Sequence, residues 1–536
     1  MHRPFSATPP RPGLTLRAVR LRDIASVSLL AVAACASTPP AAPPPVAPAP
    51  TRAAEPPATP PPVLPSVSGI WLGTLDAGPK KLRLQLRLDL AATPPGCSLD
   101  SLDQRARGIP CGNVVVSGTS LSLDVPPVKG GFAGSISADG NTVTGTWSQS
   151  GHALPLVLTR QAAAIEPLKA VLDPALPPVE LAKLPSVLDA DLAAALASGD
   201  LAPATGGGVT IGVVLHGARR ILSYGATKPD AIFEIGSISK TFTGLILAQM
   251  VEQKKVRLDE PVRALLPPGT VAAPASGAEI TLLDLSTQRS GLPRLPENFK
   301  PADPDNPYAD YDEKALYAFV AAHGLALPPK QVFGYSNLGV GLLGQALADR
   351  AGTTYEALLH KEVTGPLGMR ETVITLPAPL RARFAPGHDG EHKPARAWDL
   401  GALAGAGAIR SSAADMLRYL EAQLHPDHLP PTARATAEGK TLAAAIAASH
   451  VPQADVGDGM HIALNWFRVD ATGSIWHNGA TGGHSAFALF NPEKDFAVIV
   501  LSNTSVGEDN FADNLGKHVV QRLTGMPAVS LAPAPR

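Results

Sequence analysis

The run Thr241–Val251 is apolar on nearly every face of a helix, through Phe242, Leu245, Ile246, Leu247, Met250 and Val251. A helix that is apolar all round is a buried one, so the chain must fold around this segment. Just before it, in F-E-I-G-S-I-S-K-T-F-T, stand Ser237 and Lys240. Residues three apart on a helix share a face, about 5–6 Å between Cβ atoms. The lysine amine therefore comes within reach of the serine hydroxyl. A serine is a poor nucleophile until a base takes its proton, and a helix N-terminus favours the negative charge that then develops. An amine serves as that base when burial and cationic neighbours bring its pKa toward neutral.

Two further groups follow in order. Tyr335-Ser336-Asn337 lies in Q-V-F-G-Y-S-N-L-G-V-G-L-L-G, and His477-Asn478-Gly479 in S-I-W-H-N-G-A-T-G-G-H-S. The gaps, about 100 and about 140 residues, suit one large domain. Flanking runs are I-T-L-L-D-L-S-T-Q-R-S-G-L-P at 280–293, G-P-L-G-M-R-E-T at 365–372 and G-A-G-A-I-R-S-S-A-A-D-M at 405–416. From about residue 185 to about residue 525 the chain resembles the class C β-lactamase and D-amino-acid peptidase/esterase family, whose second and third motifs are Y-x-N and H-x-G.

The resemblance implies a serine hydrolase that works through an acyl-enzyme on a β-lactam, a D-amino-acid peptide of cell-wall origin or a small ester, with no cofactor. Ser237 would be the nucleophile. Lys240 and Tyr335 would share the proton, and the sequence leaves open which is the base. Asn337 would bond the substrate amide and steady Lys240. The backbone N–H groups of Ser237 and Ala480 would form the oxyanion hole, with Ala480 on an edge strand. Gly479 would let that strand approach the substrate closely. His477 departs from the lysine of K-T-G, a fixed cation. Histidine is mostly neutral at pH 7 and would hold a substrate carboxylate only when protonated. That shifts weight from β-lactam hydrolysis toward peptidase, amidase or esterase activity. Gln288 stands where relatives often have histidine, with no mechanism attached. The alternative reading is a penicillin-recognising binding or sensor protein that acylates without turnover.

The N-terminus reads as a leader. Arg17, Arg20 and Arg22 form a basic region, and Ile24–Ala34 is an apolar run too short to span a bilayer. The stretch ahead of it is long, which favours a true start downstream of Met1. The run ends V-A-A-C at Cys35, which resembles a bacterial lipobox and implies cleavage and lipidation there. The expected location is the cell envelope, lipid-anchored and periplasm-facing, most naturally at the outer membrane. Proline and alanine dominate the following stretch, a semi-rigid spacer that would lift a domain off the membrane. Cys97 and Cys111 remain. An oxidising compartment permits a disulfide between them, two unpaired thiols being the alternative, and they lack the C-x-x-C spacing of a metal site. With 45 basic and 46 acidic residues, 5% aromatics and no basic patch, nothing points to nucleic acid.

Residues 67–160 differ in texture. Leu82–Leu88 alternates with period two, and short strands follow between glycine turns, with Asp139-Gly140 as a hairpin signal. They read as a small antiparallel barrel or curled sheet, similar to the lipocalin-like domain appended to some β-lactamase-related hydrolases. It is expected to be an accessory or spacer rather than a ligand-binding barrel. In the hydrolase part, strands at both ends with helices between them imply one antiparallel sheet closed by the two chain ends, flanked by helices, plus a helical lobe. The expected organisation is a multidomain chain: leader 1–35, linker 36–66, all-β barrel-like domain 67–160, connector 161–185, and an α+β β-lactamase/transpeptidase-like domain 186–527. Ile462–Val469 is expected as one strand and Asp509–Leu523 as a closing helix. His388–His392 spells the zinc pattern H-x-x-E-H, but Gly390 inside it and Pro386, Gly387 and Pro394 around it read as a hairpin turn, so no metal is expected.

Overall fold

The computed structural model describes residues 66–532, apart from 77–80, 94, 103–105, 150, 151, 166–170, 330, 508 and 509. The leader, Cys35 and the Pro/Ala-rich spacer lie outside the described residues.

Nine antiparallel strands, from Gly69–Asp76 to His152–Gln161, form one meandering sheet. Its first strand pairs with its last through Ile70–Gln161, Trp71–Arg160 and Leu72–Thr159. The sheet thus curls into a nearly closed barrel whose two free edges are the consecutive strands Ala106–Pro110 and Gly112–Ser117. A disulfide joins Cys97, on the neighbouring strand Gly96–Ser101, to Cys111, the residue between the two edge strands, with Cα atoms 5.1 Å apart. The interior is filled by Trp71, Leu86, Leu121, Val143, Trp147 and Leu158, so the barrel is a packed core. Ser120–Val125 alternates exposed and buried residues as a half-buried strand should. Lys81–Asp89 departs from the alternation at Gln85. That side chain is buried because the connector docks over it, Ile165 N donating to Gln85 Oε1 at 2.6 Å while Gln85 Nε2 donates to Asp100 at 2.9 Å.

The second sheet has eight antiparallel strands, and chain order is broken at its centre. Gly208–Leu215 lies between its hairpin partner Ala218–Gly225 and the late strand Phe496–Ser502. Next come Ser485–Asn491 and Ile475–Ala480, then three short strands from Phe467–Val469 out to Ala454–Gly457. Phe496–Ser502 is buried throughout, and its F-A-V-I-V-L composition suits a strand covered on both faces. Val498 and Val500 meet Leu184, Leu188, Leu515 and Val519 of the two terminal helices. Ile499 and Leu501 face the helical lobe. The closing helix runs Phe511–Thr524.

Within that lobe the helix Ser239–Glu252 buries every residue from Ser239 to Met250. The expected strand Ile462–Val469 is two strands. Asn465 takes φ +63° between them, its backbone N–H bonded to Ser286 O at 3.1 Å, and the chain turns there to meet the lobe. Gly387–His388 pairs with Pro394–Ala395 as a hairpin, so His388 and His392 are parts of a turn. Among the described residues no helix is long and apolar enough to cross a membrane.

Candidate active site

Ser237 sits in the 3-10 turn Gly236–Ile238, which leads directly into the buried helix. Ile232–Glu234, just before it, pairs with Arg410–Ser412. This pairing brings the G-A-G-A-I-R-S-S run beside the nucleophile turn, and Ala406 with it. Lys240 is fully buried. Its Nζ lies 2.9 Å from Ser237 Oγ, 2.9 Å from Asn337 Oδ1 and 2.7 Å from Ala406 O. Burial pushes the amine well below the usual lysine value, and the nearby Arg294 charge pushes it further. A neutral amine has two hydrogens and one lone pair. The Asn337 and Ala406 oxygens can only accept, so in that form they would take both hydrogens and leave the lone pair facing the Ser237 hydroxyl.

Tyr335 lies beside this pair, with Lys240 Nζ 4.9 Å from its ring centre. Burial raises its hydroxyl to about 12, against the opposing pull of Ser237 and of the Arg294 charge. The proton therefore stays on Tyr335 at neutral pH. Asn337 begins the helix Asn337–Ala351, capped by Ser336 Oγ, which accepts Gly339 N at 2.8 Å.

The third motif closes the site from the sheet. His477–Ala480 pairs with Ala486, Phe487, Ala488 and Ser485 on one side only. The strand is interior at Ile475 and Trp476, where Arg468 and Phe467 flank it, and becomes an edge where it meets Ser237. The two backbones touch there. A Cβ on Gly479 would lie 2.0 Å from Ile235 O and 2.8 Å from Ser237 N, and one on Gly236 would lie 2.4 Å from Ala480 N. Gly236 also has φ +51°, a conformation glycine adopts without strain.

Behind the seam is a buried polar group that the motifs did not reveal. Glu234 accepts from Trp398 N at 2.8 Å and from Arg410 Nη2 at 3.2 Å, and His484 Nδ1 lies 3.4 Å from its other oxygen. Burial pushes the Glu234 carboxyl up, but the neighbouring His484, Thr481 and Arg410 outweigh it and hold it below the usual carboxylate value. The group ties the turn before Ser237 to the turn after Ala480.

Residues 198–522 match the sequence profile of the Beta-lactamase family, more than half of the chain. The chain belongs to the beta-lactamase family. Among its relatives in that family is a beta-lactamase of Pseudomonas fluorescens, 28% identical over 338 residues that cover 55% of this chain and 88% of that one. The D-alanyl-D-alanine-carboxypeptidase/endopeptidase AmpH of Escherichia coli K12 is 27% identical over 333 residues, 59% of this chain and 85% of its own. A class C beta lactamase from Rhodobacter sphaeroides shares the fold, with a TM-score of 0.50, 24% identity and coverage of 62% of this chain and 96% of that one.

Two features distinguish this beta-lactamase-family site. His477 is buried, and its Nδ1–H donates to Asn478 O at 2.5 Å. Burial and the neighbouring Lys240 lower its pKa to about 3, so the ring stays neutral across the physiological range and supplies no cation. Gln288, at φ +59°, organises the second motif. Its side-chain oxygen accepts Ser336 N at 2.8 Å, its backbone oxygen accepts Gly334 N at 2.8 Å, and its Nε2 donates to Asn465 Oδ1 at 3.3 Å. Tyr308, buried, stands beside Asn337 and the Arg294 charge and has no sequence signal of its own.

Proposed function

We propose that this chain is a serine hydrolase that cleaves amide or ester bonds through an acyl-enzyme, on a β-lactam or a D-alanyl-D-alanine-type peptide. The observation that carries the reading is the buried Lys240 amine, held 2.9 Å from Ser237 Oγ by contacts to Asn337 Oδ1 and Ala406 O, with its pKa pushed well down by burial. Its lone pair takes the Ser237 proton as Oγ bonds to the substrate carbonyl carbon. The Ser237 and Ala480 N–H groups receive the oxyanion. As the C–N bond breaks, Tyr335 gives its proton to the leaving nitrogen and regains one from Lys240. Water then hydrolyses the Ser237 ester. Tyr335 is a donor here, since a hydroxyl held near 12 carries too little phenolate to act as first base. The family membership and the names of the relatives support the substrate class.

The decisive experiment is time-resolved intact-mass spectrometry with penicillin, a D-Ala-D-Ala peptide and p-nitrophenyl acetate. A transient adduct on Ser237 with repeated product release is expected. A permanent adduct would make the chain a penicillin-recognising sensor instead. Ser237→Ala should abolish labelling and cost roughly 10⁴-fold or more in turnover. We place the enzyme at the periplasmic side of the cell envelope, anchored through Cys35. Cys35→Ala should then move it from the membrane to the soluble fraction with catalysis unchanged, and retention in the membrane would refute the anchor.

A further inference from the structure

The proposed chemistry leaves a gap in the charge inventory. The third motif lacks its lysine, and His477 cannot replace it. With the proton on Nδ1 given to Asn478 O, the other ring nitrogen presents a lone pair, which repels an anion. Lys240 is buried, and its Nζ is already engaged by Ser237, Asn337 and Ala406. Yet a fixed cation does stand beside Tyr335. Arg294 is exposed, and its guanidinium carbon lies 5.3 Å from the centre of the Tyr335 ring. Among the described residues it has no acidic partner. Glu297, the acid three residues on, is engaged by Lys129 of the barrel at 3.0 Å.

The position of Arg294 is set by the second motif. Its carbonyl accepts Asn337 N at 3.1 Å and Leu338 N at 3.2 Å, and the Pro293 carbonyl before it accepts Ser336 Oγ at 2.6 Å. The backbone that carries the guanidinium is thus bonded to the segment that carries Tyr335 and Asn337. We propose that Arg294 is the carboxylate anchor of this site, selecting substrates whose leaving nitrogen is attached to a carbon that bears a carboxylate. The proposal rests on the acyl-enzyme reading above. Tyr335 delivers the proton to the leaving nitrogen, so a carboxylate one carbon away comes beside the Tyr335 ring, where the guanidinium stands. An arginine fork fits a carboxylate with two parallel hydrogen bonds. A penicillin and a peptide ending in a free D-amino acid share this arrangement.

The test compares matched pairs: a D-Ala-D-Ala peptide against its C-terminal amide, and benzylpenicillin against its methyl ester. Each pair gives a ratio of kcat/KM. Arg294→Ala also removes a charge that acts on Lys240, and the ratio cancels that effect because both members use the same base. The ratio should fall about 10- to 100-fold in the variant, the scale of a charge-assisted hydrogen bond. Arg294→Lys should lie between. In the wild type, raising salt should lower the ratio by screening, a readout that stands even if the alanine variant folds poorly. A fall in one pair alone identifies the natural source of the carboxylate. Unchanged ratios in both pairs, with no salt dependence, would overturn the anchor. So would a wild type that turns over p-nitrophenyl acetate but neither carboxylate-bearing substrate, while the Ser237 chemistry would stand. Failure of every compound to acylate Ser237 would overturn both.

Discussion

Replacing Gly479 by alanine tests the seam between nucleophile and sheet. The added methyl would sit 2.0 Å from Ile235 O, where ordinary contact begins at 3.4 Å, and 2.8 Å from Ser237 N. Both neighbours are backbone atoms, so no side chain can swing aside. The edge strand and the nucleophile turn must part by roughly 1.4 Å, and a misplacement near 1 Å costs about 10²-fold in rate. The same movement separates the Ser237 and Ala480 N–H groups, and a lost oxyanion donor costs about 10²–10³-fold. The two losses share one displacement and do not multiply, so acylation should slow by about 10²–10³-fold. Stability should fall by about 1–3 kcal/mol, as in other overpacked cores. Stopped-flow acylation by a chromogenic ester measures the first and thermal unfolding the second. A Gly479→Ala variant that acylates within about fivefold of wild type, with an unchanged transition, would show that the two backbones do not need to touch.

Three further outcomes follow from the titrating and cross-linked groups. Acylation should rise with pH through the lowered pKa of Lys240 and stay flat beyond it until Tyr335 loses its proton near 12; Lys240→Ala should remove the acid limb along with most of the rate, and a limb that survives would assign it to another group. His477 is neutral when folded down to about 3 but titrates near 6.5 when unfolded, so the unfolded state binds the extra proton between those values. Stability therefore falls as pH drops through that window, by up to about 1.4 kcal/mol per unit for this residue, and His477→Gln should flatten the slope of unfolding free energy by one proton. Cys97→Ala opens the loop to Cys111, 14 residues away, and should destabilise the barrel by on the order of 3 kcal/mol while kcat in the hydrolase domain is unchanged; altered catalysis would show that the barrel shapes the site.

The parts of the site legible in the sequence are those whose chemistry is local. Ser237 and Lys240 are one helical turn apart, so their encounter follows from spacing alone, and the apolar run after them marks the helix as central. The barrel strands were legible for the same reason, since alternation is a property of neighbours. What escaped depends on distant partners. Gln85 breaks the alternation because the connector covers it. Ile462–Val469 breaks at Asn465 because Ser286 and Gln288 hold that turn from another part of the chain. Arg294, Tyr308 and the Glu234–His484 pair carry no motif and reach the site only through tertiary contact. The electrostatic role considered for His477 needed a solvated ring. Burial removes it, and burial is not written in the residue type.

The strand that completes the centre of the catalytic sheet is among the last to be made. Gly208–Leu215 can pair with Phe496–Ser502 only after nearly the whole chain has left the ribosome. Ser237 meets Gly479 and Ala480 on the same schedule. Until then Lys240 stands in water, where an amine near 10.4 holds its proton and leaves the serine unactivated. An incomplete chain would be an idle hydrolase. It would acquire an activated nucleophile only when the final strands dock alongside Gly208–Leu215, so that reactivity waits on the C-terminal end of the chain.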